Sequence, residues 1–357
     1  MNKKLVAVAV AGMLAAPLAA QAQTANVTLY GRVHLDLEYI DANGDRDSVT
    51  RVSSNSSRLG VRGTESLGGG LNAIFQIESA VSADAGGGQL GTRETFIGLQ
   101  GSWGTVKMGN FLAPYDDLHP IFGNVPTLTT SILATAAIWA NNGGNNKAGG
   151  AFDARLPNSI RYDSPTISGF RGGIQIGLDS ENPETDPMVI SASGIYSNGP
   201  FQLGIGYEGN KDVRGGGLDD HAMTITGAWN FGVVRIAGVY ERLDYDTPFG
   251  SLKRNMYGVT ATAPIGPGTL YASWLRADDG KGGGSRVGGL ASGSDTGADH
   301  YTISYTYPLS KRTLTYVGYT GLSNESNATY NYNINPYPGL TPGTKLNGFL
   351  IGAVHLF

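Results

Sequence analysis

Apolar and polar residues alternate in twos along most of the chain. In "VTLYGRVHLDLEY" (27–39), Val27, Leu29, Gly31, Val33, Leu35, Leu37 and Tyr39 share one face, and Thr28, Tyr30, Arg32, His34, Asp36 and Glu38 share the other. A period of two predicts a strand with one apolar and one very polar side. The stretch is longer than the five or six residues, roughly, of an ordinary globular strand and suits a tilted membrane crossing. About sixteen such segments recur, starting near residues 26, 52, 71, 93, 103, 155, 169, 189, 201, 220, 233, 253, 269, 298, 313 and 347. "TTSILATAAIWA" (129–140), inside a long connection, is the one candidate helix.

The connections alternate in length. Short ones are "SLGGG" (66–70), "GSWG" (101–104), "SPTISG" (164–169), "SNGP" (197–200), "APIGPG" (263–268) and "PLSKR" (308–312). Long ones begin at residues 41, 111, 209, 278 and 322. Turns at one rim and loops at the other predict an all-β fold, a transmembrane antiparallel β-barrel of about 16 strands with short periplasmic turns and long external loops. A β-sandwich does not sort its loops this way. Trp229, Phe231, Tyr240, Tyr271, Trp274, Tyr305 and Tyr307, near strand ends, fit interfacial aromatic girdles. Arg or Lys facing lipid at the midplane costs about 2–4 kcal/mol, so the polar face of each strand must look inward onto water. About sixteen strands leave an aqueous channel, whereas eight are filled by side chains.

The N-terminus sets the compartment. Lys3 and Lys4, the apolar run from Leu5 to Ala20 and the small-x-small site Ala20-Gln21-Ala22 read as a signal peptide over residues 1–22, leaving a barrel domain over 23–357. The competing reading, a transmembrane anchor, fails because the run is short of a span and no stop-transfer pattern follows. Loss of Lys3 and Lys4 takes the formal charge from −4 to −6, which is no basic footprint for nucleic acid. There is no cysteine for a disulfide or a thiolate. Glycine, 54 of 357 residues, is about twice ordinary usage, and there are 18 tyrosines. Both suit a large turn-rich β-structure.

Enzymatic chemistry finds little support. "GIGYEG" (204–209) matches G-x-G-x-x-G but lies inside a strand pattern without a βαβ unit. "DANGDRD" (41–47) hints at a calcium loop, yet Arg46 replaces its glycine and Val52 its bidentate Glu. His34, His119, His221, His300 and His355 lack metal-ligand spacing, and there is no G-x-S-x-G elbow. No cofactor and no metal is expected. The rival classes are an outer-membrane hydrolase barrel, in which His34 or His300 would partner an unidentified serine, and a structural or adhesive barrel.

Taken in order, "VTLYGRVHLDLEY", "SSRLGVRGTESLGGGLNAIFQIES" (56–79), "RETFIGLQGSWGTVKMGN" (93–110), "LPNSIRYDSPTISGF" (156–170) and the terminal "GAVHLF" resemble the trimeric porins of Gram-negative bacteria, in particular the sixteen-stranded porins of β-proteobacteria. The resemblance covers the whole mature chain. It implies a homotrimer in the outer membrane, in contact with lipid and lipopolysaccharide and passing small hydrophilic solutes and ions. It also implies that the third loop folds into the pore and opposes acidic residues to a basic ladder. The matching loop is "FLAPYDDLHPIFGN" (111–124), with Asp116 and Asp117 as its acids and Ile121 where relatives carry a further carboxylate. Arg32, Arg58, Arg93 and Arg155 match the basic wall positions, Glu78 an acidic one, and Asn110 stands where many relatives have arginine. Opposed rows of fixed charge make a transverse field that passes small dipolar solutes and retards apolar ones. Four arginines against two or three carboxylates predict a weak anion preference. A channel selective for one anion or sugar is the alternative.

The ending "GFLIGAVHLF" (348–357) is another alternating strand. In a closed barrel it is expected to pair with the first, setting Phe349, Ile351, Ala353, His355 and Phe357 on the membrane side. The terminal Phe357 also resembles the signal that the outer-membrane assembly machinery reads.

Overall fold

In a computed structural model the alternating segments pair into one continuous antiparallel sheet. The structure describes residues 26–44, 47–123, 132–141, 147–178 and 187–357. The signal peptide expected over 1–22, residues 45–46 of the calcium-like loop and residues 129–131 of the expected helix lie outside these. The barrel strands are β1 (Asn26–Ala42), β2 (Val49–Ser54, continued by Arg58–Gly68), β3 (Leu71–Val81), β4 (Thr95–Gly101), β5 (Gly104–Leu112), β6 (Arg155–Asp163), β7 (Phe170–Leu178) and β8 (Met188–Asn198). There follow β9 (Phe201–Lys211), β10 (Asp219–Asn230), β11 (Arg235–Thr247), β12 (Gly250–Ile265), β13 (Gly268–Ala277), β14 (Ala298–Pro308), β15 (Thr313–Asn324) and β16 (Lys345–Leu356). Short ladders at Gly88–Gln89 and Lys281–Gly282 belong to loops, so the barrel has 16 strands.

Closure is complete. β1 pairs with β2 on one side and with β16 on the other, from Arg32 opposite Leu356 to Ala42 opposite Leu346. Beyond the ladder, Gly31 and Phe357 exchange backbone hydrogen bonds of 3.0 and 3.2 Å. Among the described residues no barrel strand is left as an edge, so no row of backbone donors or acceptors from these strands faces lipid. Phe349, Ile351, Ala353, His355 and Phe357 lie on the exposed outer face, as the alternation predicts.

The outer face is apolar along its strands, with Leu29, Leu37, Ile97, Ile205, Ile225, Val259, Ile303 and Ile351 exposed. Trp229, Phe231, Tyr240, Trp274 and Tyr307 also face outward. Tyr271 does not. Three residues before Trp274 it falls on the opposite parity of β13, faces inward and is buried, so it belongs to no girdle.

The inside is not uniformly wet. Ile132, Leu133, Ile138, Trp139 and Phe152 of the long connection after β5, here loop 3, join Tyr330 and Tyr332 of the last loop in an apolar cluster within the barrel. The expected helix is absent from the described part of 129–140. Short 3-10 turns at Thr135–Ala137 and Trp139–Asn141 stand in its place, with Ala140 at φ 62°. The segment is buried on all sides and its backbone bonds to the wall instead: Arg254 donates to the Ile138 carbonyl (3.0 Å), Thr302 to that of Leu133 (3.3 Å), and Ala140 N–H donates to Glu241 (2.9 Å).

Candidate functional site

Loop 3 enters the barrel through a 3-10 turn (Pro114–Leu118) and the short helix α1 (His119–Phe122). Wall glycines make room for it. A Cβ at Gly204 would sit 2.5 Å from Leu118 and 2.7 Å from Ile121, and one at Gly206 2.6 Å from Leu118. The glycines of "GIGYEG" are therefore a seat for the loop. Polar anchors hold the seat: Tyr115 N–H donates to Ser191 (3.1 Å), Tyr115 Oη to Glu241 (2.8 Å), Arg235 to the Ile121 carbonyl and Thr260 to that of Phe122. Glu241 and Arg254 form a fully buried ion pair of 2.6 Å behind them. Ile121 is buried and points at this wall and not at water.

The loop thus covers the wall from β7 onward, reaches Arg161 on β6 through Asp117, and leaves β1–β5 and the start of β6 to face it. Along that side runs a belt of charge. Arg32 on β1 and Arg58 on β2 are register partners. Glu78 on β3 accepts from Arg93 Nε (2.6 Å) and from Tyr30 Oη (3.1 Å), and lies 3.4 Å from Arg58 Nε. Arg155 Nε lies 3.3 Å from Glu94. The four arginines matched from the sequence are half-exposed and adjacent, whereas Glu78 is buried beneath them. Arg32 donates to the backbone carbonyls of Asn55 (3.0 Å) and Ser56 (3.2 Å), and among the described residues no carboxylate lies in ion-pair range of it. Asn110 caps the Arg93 carbonyl at 2.9 Å.

On the loop side Asp117 is 2.5 Å from Arg161, which also holds Asp163 at 2.7 Å. Lys107 stands 3.8 Å from Asp163, and Arg171 borders the same recess as Asp117 and Arg161. Withdrawal from water and then the Asp117 charge raise Asp116 to about 7. Asp117 is also raised by burial, with Arg161 opposing the shift. Burial lowers His119 to about 4. Glu94, Lys107, Arg161, Asp163 and Arg171 were not singled out from the sequence. The alternation of "RLPNSIRYD" already put Arg161 and Asp163 on the lumen side; what was missing was their distance to loop 3.

A family model described as Gram-negative porin matches residues 7–327. The chain belongs to the Gram-negative porin family. It is 29% identical to "Outer membrane porin protein 32" of Delftia acidovorans over 100% of both chains, and 29% identical to an outer membrane porin protein of Bordetella pertussis over 88% of this chain and 93% of that one. Among solved structures, an anion-selective porin from Comamonas acidovorans superposes with a TM-score of 0.79 at 26% identity, covering 94% of this chain and 100% of that chain. This porin is an outer-membrane channel of a Gram-negative bacterium. Small hydrophilic solutes and ions cross it passively, through water enclosed by a barrel that is apolar outside and charged within.

Proposed function

We propose that the charged belt is the pore's selectivity constriction and that it favours small anions. Arg32, Arg58, Arg93 and Arg155 supply the basic side, with Glu78 beneath them, and Asp116 and Asp117 supply the acidic side. The observation that carries this reading is Arg32, which among the described residues is partnered only by carbonyl oxygens. Arg58 and Arg93 lie beside it, and across the belt and the recess at Asp117 the cations Arg32, Arg58, Arg93, Lys107, Arg155, Arg161 and Arg171 outnumber Glu78, Glu94, Asp116, Asp117 and Asp163. A fixed positive excess in a narrow water lane concentrates anions and repels cations. The relative from Comamonas acidovorans, described as anion-selective, supports the same direction. Transport involves no turnover and no cofactor.

The test is the reversal potential of single channels in planar bilayers under a potassium chloride gradient. A chloride preference is expected, reduced about two- to threefold by Arg32→Gln, since the change removes one unpaired unit charge. A potassium preference in the wild type overturns the proposal. Saturating conduction of one sugar or one anion would replace it with a substrate-selective channel.

We further propose that the porin is a homotrimer set among outer-membrane lipid and lipopolysaccharide. It is exported by cleavage after Ala22, and Phe357 is recognised by the outer-membrane assembly machinery. Deleting Phe357 should lower assembled barrel in cells while leaving the conductance of surviving channels unchanged. Normal assembly would reduce Phe357 to barrel closure alone.

A further inference from the structure

Loop 3 begins and ends at one spot. Asp116 and His119 lie in its first turns, and Asp153 lies two residues before β6. His119 Nε2 is 3.6 Å from Asp153 Oδ2 and 4.0 Å from Asp116 Oδ1. One ligand atom from each residue lies within 4.8 Å of the other two. His119 is 2% exposed and Asp153 5%. Among the described residues, neither ring nitrogen of His119 nor Oδ1 of Asp153 has a hydrogen-bond partner. The ring is held flat on Trp139, with centroids 3.9 Å apart and planes 27° apart. A buried imidazole fixed in place, with no hydrogen bond from the described residues and two carboxylates near one nitrogen, is a polar group lacking its ligand.

We infer that Asp116, His119 and Asp153 bind one divalent transition-metal cation that clasps the two ends of loop 3. Two carboxylates and one imidazole suit zinc or manganese in preference to the all-oxygen cations calcium and magnesium. Metal–ligand bonds of about 2.0–2.2 Å place ligand atoms about 3–3.5 Å apart, so the site need close by only about an ångström. Nearby charges are already matched: Lys147 pairs with Glu208, Arg254 with Glu241 and Arg155 with Glu94. Asp116, whose side chain is 23% exposed, opens the site to the water lane and leaves positions for bound water. Ligand spacing along the sequence gives no sign of this site, because Asp153 reaches it from the far end of the loop.

The experiment uses the folded, chelator-washed porin in detergent. Zinc is titrated by calorimetry and manganese by its paramagnetic resonance signal. About one ion per protomer is expected, with binding weakened at least tenfold by Asp153→Asn and by His119→Gln. Asp116→Asn, at the exposed edge, should weaken it in a barrel whose folding is little disturbed. Folding of every variant is checked by heat-dependent gel migration. Absence of saturable binding in the wild type overturns the proposal and leaves a proton shared among the three groups. Equal binding by the wild type and by Asp116→Asn also overturns it, assigning the ion to exposed histidines such as His221.

Discussion

At the scale of single residues, glycine and aromatic rings pack as pairs across neighbouring strands. Tyr301 on β14 is the register partner of Gly321 on β15, and its ring covers that glycine. A Cβ at Gly321 would fall 2.2 Å from the ring. Phe357 covers Gly31 in the same way, with a Cβ again 2.2 Å from the ring. This is why the chain is rich in both residue types: a ring lying flat along the wall needs an empty position beside it. Gly321→Val should therefore destabilise the barrel by about 1–3 kcal/mol through overpacking. Adding Tyr301→Thr should recover much of that loss, since the added side chain then fills the space the ring leaves. Urea unfolding of lipid-embedded barrel measures both. Additive losses in the double variant would show that the ring is not what the glycine accommodates.

At the scale of elements, loop 3 is the part that sequence pattern described least well. The strands were legible because each carries its own alternation, and their starts fall within a few residues of expectation. The terminal strand and its seam with β1 follow from the same rule. Loop 3 has no such internal signal. Its conformation is dictated by wall groups distant in sequence, which is why "TTSILATAAIWA" looks helical and forms short turns instead. The basic residues of the belt were legible from parity and family position, but Arg161 and Lys107 acquire meaning only from where the loop lands. Two predictions test that seat. Gly206→Val would place its side chain against Leu118 and should raise current noise in single-channel records, with strand content unchanged by circular dichroism. Arg254→Met leaves Glu241 buried without its ion pair and should cost about 3–5 kcal/mol. Glu241→Gln with Arg254→Met should recover part of this, because the amide still accepts from Tyr115 and Ala140 while no charge remains buried. Quiet channels in Gly206→Val would mean that the polar anchors alone hold the loop.

At the scale of the whole molecule, the net charge and the proposed selectivity have opposite signs. The chain carries a formal charge of −4. Many of its carboxylates, among them Asp212, Asp278, Asp295 and Glu325, sit in loops outside the strands, whereas the proposed basic excess lines the belt. A permeating ion responds to the charge within about one screening length, not to the total. That length is about 10 Å at 0.1 M salt and about 3 Å at 1 M. At 0.1 M an ion in the lane still feels Arg32 together with Arg58 and Arg93; at 1 M it feels little beyond the side chain it is passing. The ratio of chloride to potassium permeability should therefore fall severalfold toward unity between these concentrations, and Arg32→Gln should lower the ratio more at 0.1 M than at 1 M. Reversal potentials at a constant concentration ratio across the bilayer read both effects. A ratio independent of salt would place the preference in direct, desolvated anion contact with individual guanidinium groups. Arg32→Gln would then act equally at both concentrations, which separates a field summed over the belt from a binding site at one of its members.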